Sequence, residues 1–119
     1  MISQASRAFN PERLSGLLGG KSEDTAQVLK IACDTLPRIA RRLCDSSLTA
    51  KDGRSLAHQL KGASLSAGAE ELAGIAAELE RELEGEWTRQ ARALVASMQS
   101  ASRRFLAAST AYLRVQSIR

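Results

Sequence analysis

The only histidine of the chain, His58, is the first residue that could carry chemistry. A neutral imidazole nitrogen is a nucleophile, and its helical neighbours decide what it can react with. At about 100° per residue, Leu56 and Leu60 point away from His58, towards a core. The face of His58 itself carries Lys51, Arg54, Ser55, Lys61, Gly62 and Leu65.

This neighbourhood favours the handling of a phosphoryl group. The three cations on the His58 face suit a group whose charge is close to −2. Gly62 costs a helix about 1 kcal/mol relative to alanine, and its missing side chain would let another protein's backbone come close. The alternative interpretation is a surface histidine among surface lysines and arginines.

The elements that must position His58 are helices. Alanine and leucine dominate the composition, and aromatic residues make up only 3% of the 119 residues. We expect a short helix over residues 10–19 and four more that begin near residues 22, 49, 70 and 87, the last running towards residue 116. Asn10 and Thr49 are candidate N-caps, and Pro37 lies inside the second helix, which it should kink without ending it.

The apolar positions of these helices recur at intervals of three and four, which is typical of bundle packing. The longest series is that of the last helix: Trp87, Ala91, Leu94, Met98, Ala101, Phe105, Ala108 and Tyr112. Short connections imply antiparallel neighbours. The sequence therefore predicts an all-α fold, an antiparallel up-down four-helix bundle with a short extra N-terminal helix.

The charges are unevenly distributed along the chain, whose net charge is +4. Seven carboxylates and one arginine occupy residues 70–86, whereas residues 87–119 hold six arginines and no acid. Two interpretations follow: a solvated face paired with the acidic helix beside it, or a nucleic-acid-binding bundle that depends on Arg103 and Arg104. The absence of Lys/Arg runs and the few aromatic residues favour the first, so no nucleic-acid partner is expected.

Several classes of protein are disfavoured. No apolar run approaches the ~18 residues of a membrane span, and the N-terminal residues lack the apolar block of a signal peptide. Cys33 and Cys44 would lie about 16 Å apart on one helix, too far for a disulfide, which suits a reducing cytoplasm. With one histidine and no C-x-x-C, no metal site is expected. A cytoplasmic chain without membrane contact is the prediction.

Residues 56–79 read LAHQLKGASLSAGAEELAGIAAEL. The string resembles the histidine-containing phosphotransfer (HPt) family, whose hallmark is H-x-L-K-G-[AS]-[AS] followed by G-A and a leucine-rich helix. The resemblance covers most of residues 9–84. The helical pattern covers the rest, and 119 residues are near the common size of one domain. We therefore expect one domain over residues 1–119, with a lead-in over residues 1–20 and a four-helix bundle over residues 22–116.

The resemblance also implies roles for individual residues. His58 would be phosphorylated on Nε2, Lys61 would neutralise the phosphoryl oxygens, and Gly62 would leave room for a docking receiver domain. Glu80, twenty-two residues after the histidine, matches a position from which many members hold the other ring nitrogen. The remaining candidates for contact with phosphate or partner are Lys51, Arg54, Ser55 and Leu65.

The function implied is that of a phosphoryl carrier without kinase activity of its own. It would take the group from a receiver-domain aspartate and pass it to a second one, acting as a monomer. The chain would bind no cofactor, and Mg²⁺ would belong to the partner receiver. The main alternative is a helical interaction module of the same shape that binds or sequesters a partner protein.

Overall fold

Five helices form the fold over residues 7–20 and 22–118, the part of the chain that the computed structural model describes. They are α1 (Pro11–Leu17), α2 (Ser22–Arg42), α3 (Ala50–Ser66), α4 (Glu70–Glu82) and α5 (Arg89–Ile118). That part of the chain contains no strand, so the predicted all-α class is confirmed. Residues 1–6, which the predicted lead-in includes, lie outside the described residues.

Polar side chains cap α1 and α3 at the two positions that the sequence predicts. Asn10 Oδ1 accepts the backbone N–H of Arg13 at 3.1 Å, and Thr49 Oγ1 accepts that of Asp52 at 3.1 Å. These bonds satisfy N–H groups that have no partner within the helix, which fixes where α1 and α3 begin. Pro37 lies inside α2, and the helix continues past it to Arg42.

The last helix begins two residues later than its apolar series predicts. Thr88 Oγ1 accepts the backbone N–H of Ala91 at 2.9 Å and caps the helix, and residues 83–88 are not helical. Trp87 therefore lies in the connection before α5, where its Nε1–H donates to the backbone oxygen of Leu48 at 2.7 Å. The prediction that Trp87 is the first apolar residue of the last helix was wrong, because the threonine cap sets the start.

Each of the four longer helices packs against two of the other three. The pairs in contact are α2 with α3, α3 with α4, α4 with α5, and α5 with α2, while α1 packs on α2. Their apolar stripes meet in one cluster, in which Leu36, Leu60, Leu79, Met98 and Phe105 are completely buried. Helix α3 is therefore held by its apolar side between α2 and α4, and its other side faces solvent.

The segment before α1 is fixed to the turn between α3 and α4. The backbone N–H of Asn10 donates to Gly68 O at 2.8 Å, and Gly68 has a φ of +76°. The ring of Phe9 stacks edge-to-face on Phe105 and Tyr112, with centroids 5.9 and 5.5 Å apart. Residues 9 and 10 thereby cover one end of the apolar cluster.

No helix within the described residues is long and apolar enough to cross a membrane.

Candidate functional site

His58 lies near the middle of α3, on the side turned away from the core. Its side chain is 69% exposed, whereas Leu56 and Leu60 on the opposite side are buried. Because the leucines are buried in the core, the helical period places His58 on the opposite side, which faces solvent. The imidazole is consequently accessible to a partner domain.

Glu80 on α4 reaches the imidazole from the neighbouring helix. His58 Nδ1 lies 2.7 Å from Glu80 Oε2, and the glutamate side chain is only 19% exposed. An ionised carboxylate can only accept a hydrogen bond, so the proton belongs on Nδ1. In the neutral ring this leaves Nε2 without a proton, with its lone pair available on the exposed side.

Lys61 binds the other oxygen of the same carboxylate. Its Nζ donates to Glu80 Oε1 at 2.9 Å, and its side chain is one-third exposed. This bond is the main reason that the pKa of the Glu80 carboxyl lies below its ordinary value; burial raises that pKa and the contacts with His58 lower it further. Glu80 is therefore ionised at neutral pH and linked to both residues.

The Lys61–Glu80 ion pair was missed by sequence reasoning, which assigned Lys61 to the phosphoryl group alone. A signal was present, because both residues were expected beside the same imidazole and carry opposite charges. An ammonium has three N–H donors, so its bond to Glu80 leaves two for another acceptor. The lysine can thus hold the carboxylate and still face an anion.

The other predicted residues lie along the solvent side of α3. Lys51, Arg54 and Ser55 are exposed before His58, and neither cation forms an ion pair within the described residues. Beyond it, a Cβ added to Gly62 would meet nothing within 4 Å, and Leu65 is 40% exposed. The structure brings together only His58, Lys61 and Glu80; the rest form a surface around them.

Metal ligands do not cluster at this site. The described part of the chain contains no group of three or more histidine, cysteine, aspartate or glutamate side chains that could hold a metal ion.

Cys33 is partly buried and Cys44 is exposed, and both are free thiols. Burial raises the pKa of the Cys33 thiol, which disfavours its nucleophilic thiolate form.

The site is an exposed imidazole on a helix of an all-helical fold, with one ring nitrogen held by a carboxylate and the other free to act as a nucleophile. Comparison with protein families matches residues 23–112 to the Hpt domain, and the chain belongs to this family. Domains of this family act in two-component phosphorelays as phosphocarriers and have no kinase activity of their own. The match includes most of α5, which lies beyond the residues that carry the sequence resemblance, and excludes α1. Comparisons with curated proteins and with solved structures gave no significant match.

Proposed function

We propose that His58 is the phosphoryl acceptor, and that this chain passes the group from the aspartate of one receiver domain to that of another. The observation that carries the proposal is the 2.7 Å contact between His58 Nδ1 and Glu80 Oε2. It supports a ring whose Nε2 is unprotonated, exposed and held in a fixed orientation. Those are the properties that a nucleophile in a protein-to-protein transfer needs.

The transfer is two in-line displacements at phosphorus. The Nε2 lone pair attacks the aspartyl phosphate, an N–P bond forms, the P–O bond breaks, and the aspartate leaves as a carboxylate. The proton stays on Nδ1, where the negative charge of Glu80 offsets the positive charge that develops on the ring. In the second displacement, an aspartate oxygen of the next receiver attacks phosphorus and the imidazole leaves.

Lys61 is proposed to bind a phosphoryl oxygen with a donor that its bond to Glu80 leaves free. Lys51 and Arg54 add positive potential on the approach side, which attracts the anionic group and the acidic pocket of a receiver. Ser55, Gly62 and Leu65 would contact the receiver itself. Most of the stabilisation of the transferring group is expected from the receiver, which supplies the Mg²⁺ ion, since no cofactor is assigned to this chain.

Further proposals concern the setting of the site. The helix pairs in contact and the short connections support an antiparallel up-down four-helix bundle. We take residues 1–119 as one domain, with the lead-in over residues 1–20 and the bundle over residues 22–116. The domain is proposed to act as a monomer in the cytoplasm.

The test is phosphoryl uptake. The protein and a folded His58→Gln variant are mixed with a complete, active panel of phosphorylated receiver domains and Mg²⁺. We expect label on the wild type alone, labile in acid and stable in alkali, and its removal by a second receiver. Equal labelling of the variant, or no label from any active receiver, would reject the proposal and favour a helical module that only binds a partner.

A further inference from the structure

Four arginines line the outer face of α5: Arg89, Arg92, Arg103 and Arg114, named here the arginine stripe. All four are exposed. Eleven residues make three helical turns to within about 20°, so Arg92, Arg103 and Arg114 follow one another on one side at intervals of about 16 Å. Arg89 lies one turn before Arg92, and the stripe extends over about 38 Å. The apolar residues of α5, such as Met98 and Phe105, occupy the opposite side and are buried.

The charges of the arginine stripe are not neutralised within the described residues. None of its four members forms an ion pair there, and α5 contains no carboxylate. Arg92 lies over the ring of Trp87 at 5.4 Å, a contact that leaves its charge in place. Arg104, one position from Arg103 but on the α4 side of the helix, is bound instead by Glu71 at 2.8 Å. The neighbouring acidic helix therefore compensates Arg104 and leaves the stripe without a carboxylate partner.

The first turn of α5 differs from those of the other four helices in its charged residues. Each of α1 to α4 has a carboxylate in its first turn, where it interacts favourably with the positive end of the helix dipole. Helix α5 has none there, and Arg89 and Arg92 take the first and fourth positions. The carboxylate at this end belongs to α4, because Glu82 Oε1 accepts from the Thr88 hydroxyl at 2.9 Å. Arginines in a first helical turn oppose the helix dipole, and a departure of this kind from local preference is expected where a surface serves binding.

We propose that the arginine stripe is a docking surface for an acidic helix of a partner protein. Guanidinium groups pair with carboxylates through two parallel hydrogen bonds, and the stripe matches a helix that presents one carboxylate every three turns. Apart from arginines, the exposed positions between Arg92 and Arg114 carry only small side chains: Ala93, Ala96, Ser97, Ala107, Thr110 and Ala111. They allow the axis of a second helix to come close.

The charge density of the arginine stripe and the residues around it argue against nucleic acid and against a lipid surface as the partner. Duplex nucleic acid carries one negative charge per about 1.7 Å, which four arginines over about 38 Å match poorly. Insertion into a lipid surface requires several large apolar side chains beside the cations, whereas Val115, beside Arg114, is the one large apolar residue that is exposed in the described part of α5. An acidic helix fits both the spacing and the small residues.

The arginine stripe and His58 are on different sides of the molecule. Helix α5, which carries the stripe, and helix α3, which carries His58, both pack against α2 and α4. The two helices occupy opposite corners of this arrangement. A partner on α5 can therefore remain bound while another protein docks at His58, and the two surfaces can be tested separately.

The test is a titration of the isotope-labelled protein followed by NMR. The probe is an alanine-based helical peptide with glutamate at every eleventh position, and the same peptide with glutamine is its control. We expect the acidic peptide alone to shift the amide signals of residues 89–114. The double variant Arg103→Gln/Arg114→Gln should weaken binding about tenfold, the sum of two exposed ion pairs. Arg38→Gln/Arg81→Gln, with the same loss of charge on α2 and α4, should change it less than twofold.

Three results would overturn the proposal. They are no binding of the acidic peptide, an equal loss of binding in both double variants, or tighter binding of a 20-base-pair duplex or of anionic phosphatidylglycerol vesicles. The His58→Gln variant should bind the peptide as the wild type does, and Arg103→Gln/Arg114→Gln should accept phosphate normally. Failure of the docking surface and failure of phosphotransfer are thus distinguishable.

Discussion

Nδ1 of His58 and Oε2 of Glu80 lie 2.7 Å apart, although the residues are twenty-two positions apart and belong to different helices. The second oxygen of the same carboxylate accepts from Lys61 at 2.9 Å. One side chain of α4 thus fixes the ring of α3 and holds the cation that lies one turn further along. The proposed chemistry of His58 depends on the packing of α3 against α4 as much as on α3 itself.

Removing the carboxylate should slow transfer without unfolding the protein. In Glu80→Ala, the ring loses its orienting acceptor, and we expect phosphoryl uptake to fall by about ten- to a hundredfold, the range typical when a carboxylate that orients a metal-binding histidine is lost. Glu80→Gln retains an amide oxygen that can accept from Nδ1–H and should be affected less. Initial rates with one phosphorylated receiver, beside circular dichroism, measure this. A wild-type rate in Glu80→Ala would remove Glu80 from the site.

Lys61 should matter for the rate more than any lysine distant from His58. We expect Lys61→Gln to slow uptake about tenfold, because a charged donor to the phosphoryl oxygens is lost and each tenfold corresponds to about 1.4 kcal/mol in the barrier. Lys30→Gln, which removes the same charge from an exposed position of α2, is the matched control. Equal rates in the two variants would contradict a role for Lys61 in binding the phosphoryl group.

The Lys61–Glu80 pair should make stability depend on pH in the acid range. Lys61 lowers the pKa of Glu80 from its ordinary value of 4.5, so the stabilisation is fully present above that value. It is lost as the pH falls through the lowered pKa of the folded protein. The difference in unfolding free energy between wild type and Lys61→Gln should therefore be larger at pH 7 than at pH 3, as measured by urea denaturation. An equal difference at both pH values would show that the pair does not stabilise the fold.

Two glycines of α3 should respond to alanine in opposite directions. A Cβ at Gly62 meets nothing within 4 Å, so Gly62→Ala should raise the free energy of unfolding by up to about 1 kcal/mol through helix propensity. A Cβ at Gly53 would lie 2.8 Å from Trp87 Cζ2 and 3.0 Å from Leu83 Cδ1. Because Trp87 is held by its bond to Leu48, we expect Gly53→Ala to cost about 1–2 kcal/mol net. Thermal and urea unfolding decide the sign of each change.

Gly68 should be intolerant for a different reason. Its φ of +76° disfavours any side chain, and an added Cβ would lie 2.7 Å from the backbone oxygen of Asn10. We expect Gly68→Ala to destabilise the protein by about 2 kcal/mol and to increase amide exchange at Asn10, whose N–H donates to Gly68 O. Gly74→Ala on α4, where the space is open, is the control. Unchanged exchange at Asn10 would show that the segment before α1 does not depend on this turn.

The helices and the direction of His58 could be predicted from the sequence because both depend on residues three or four apart. The caps at Asn10 and Thr49 and the buried positions of Leu56 and Leu60 follow from that local periodicity. The HPt resemblance of residues 56–79 likewise rests on contiguous sequence. The start of α5 was misplaced by two residues because the apolar series and the threonine cap compete there, and the cap prevailed.

The contacts between helices were decided only by the tertiary structure. Three contacts join residues that are far apart in the sequence: the ion pair between Lys61 and Glu80, the bond from Trp87 to Leu48, and the close approach of Asn10 to Gly68. They depend on how far apart the helices pack and how each is rotated about its axis, which the filling of the shared core determines. The sequence by itself identified the histidine, the side of α3 on which it lies and, through the resemblance, Glu80 as a candidate to hold its second ring nitrogen. Packing decided that one carboxylate binds both the imidazole and the lysine.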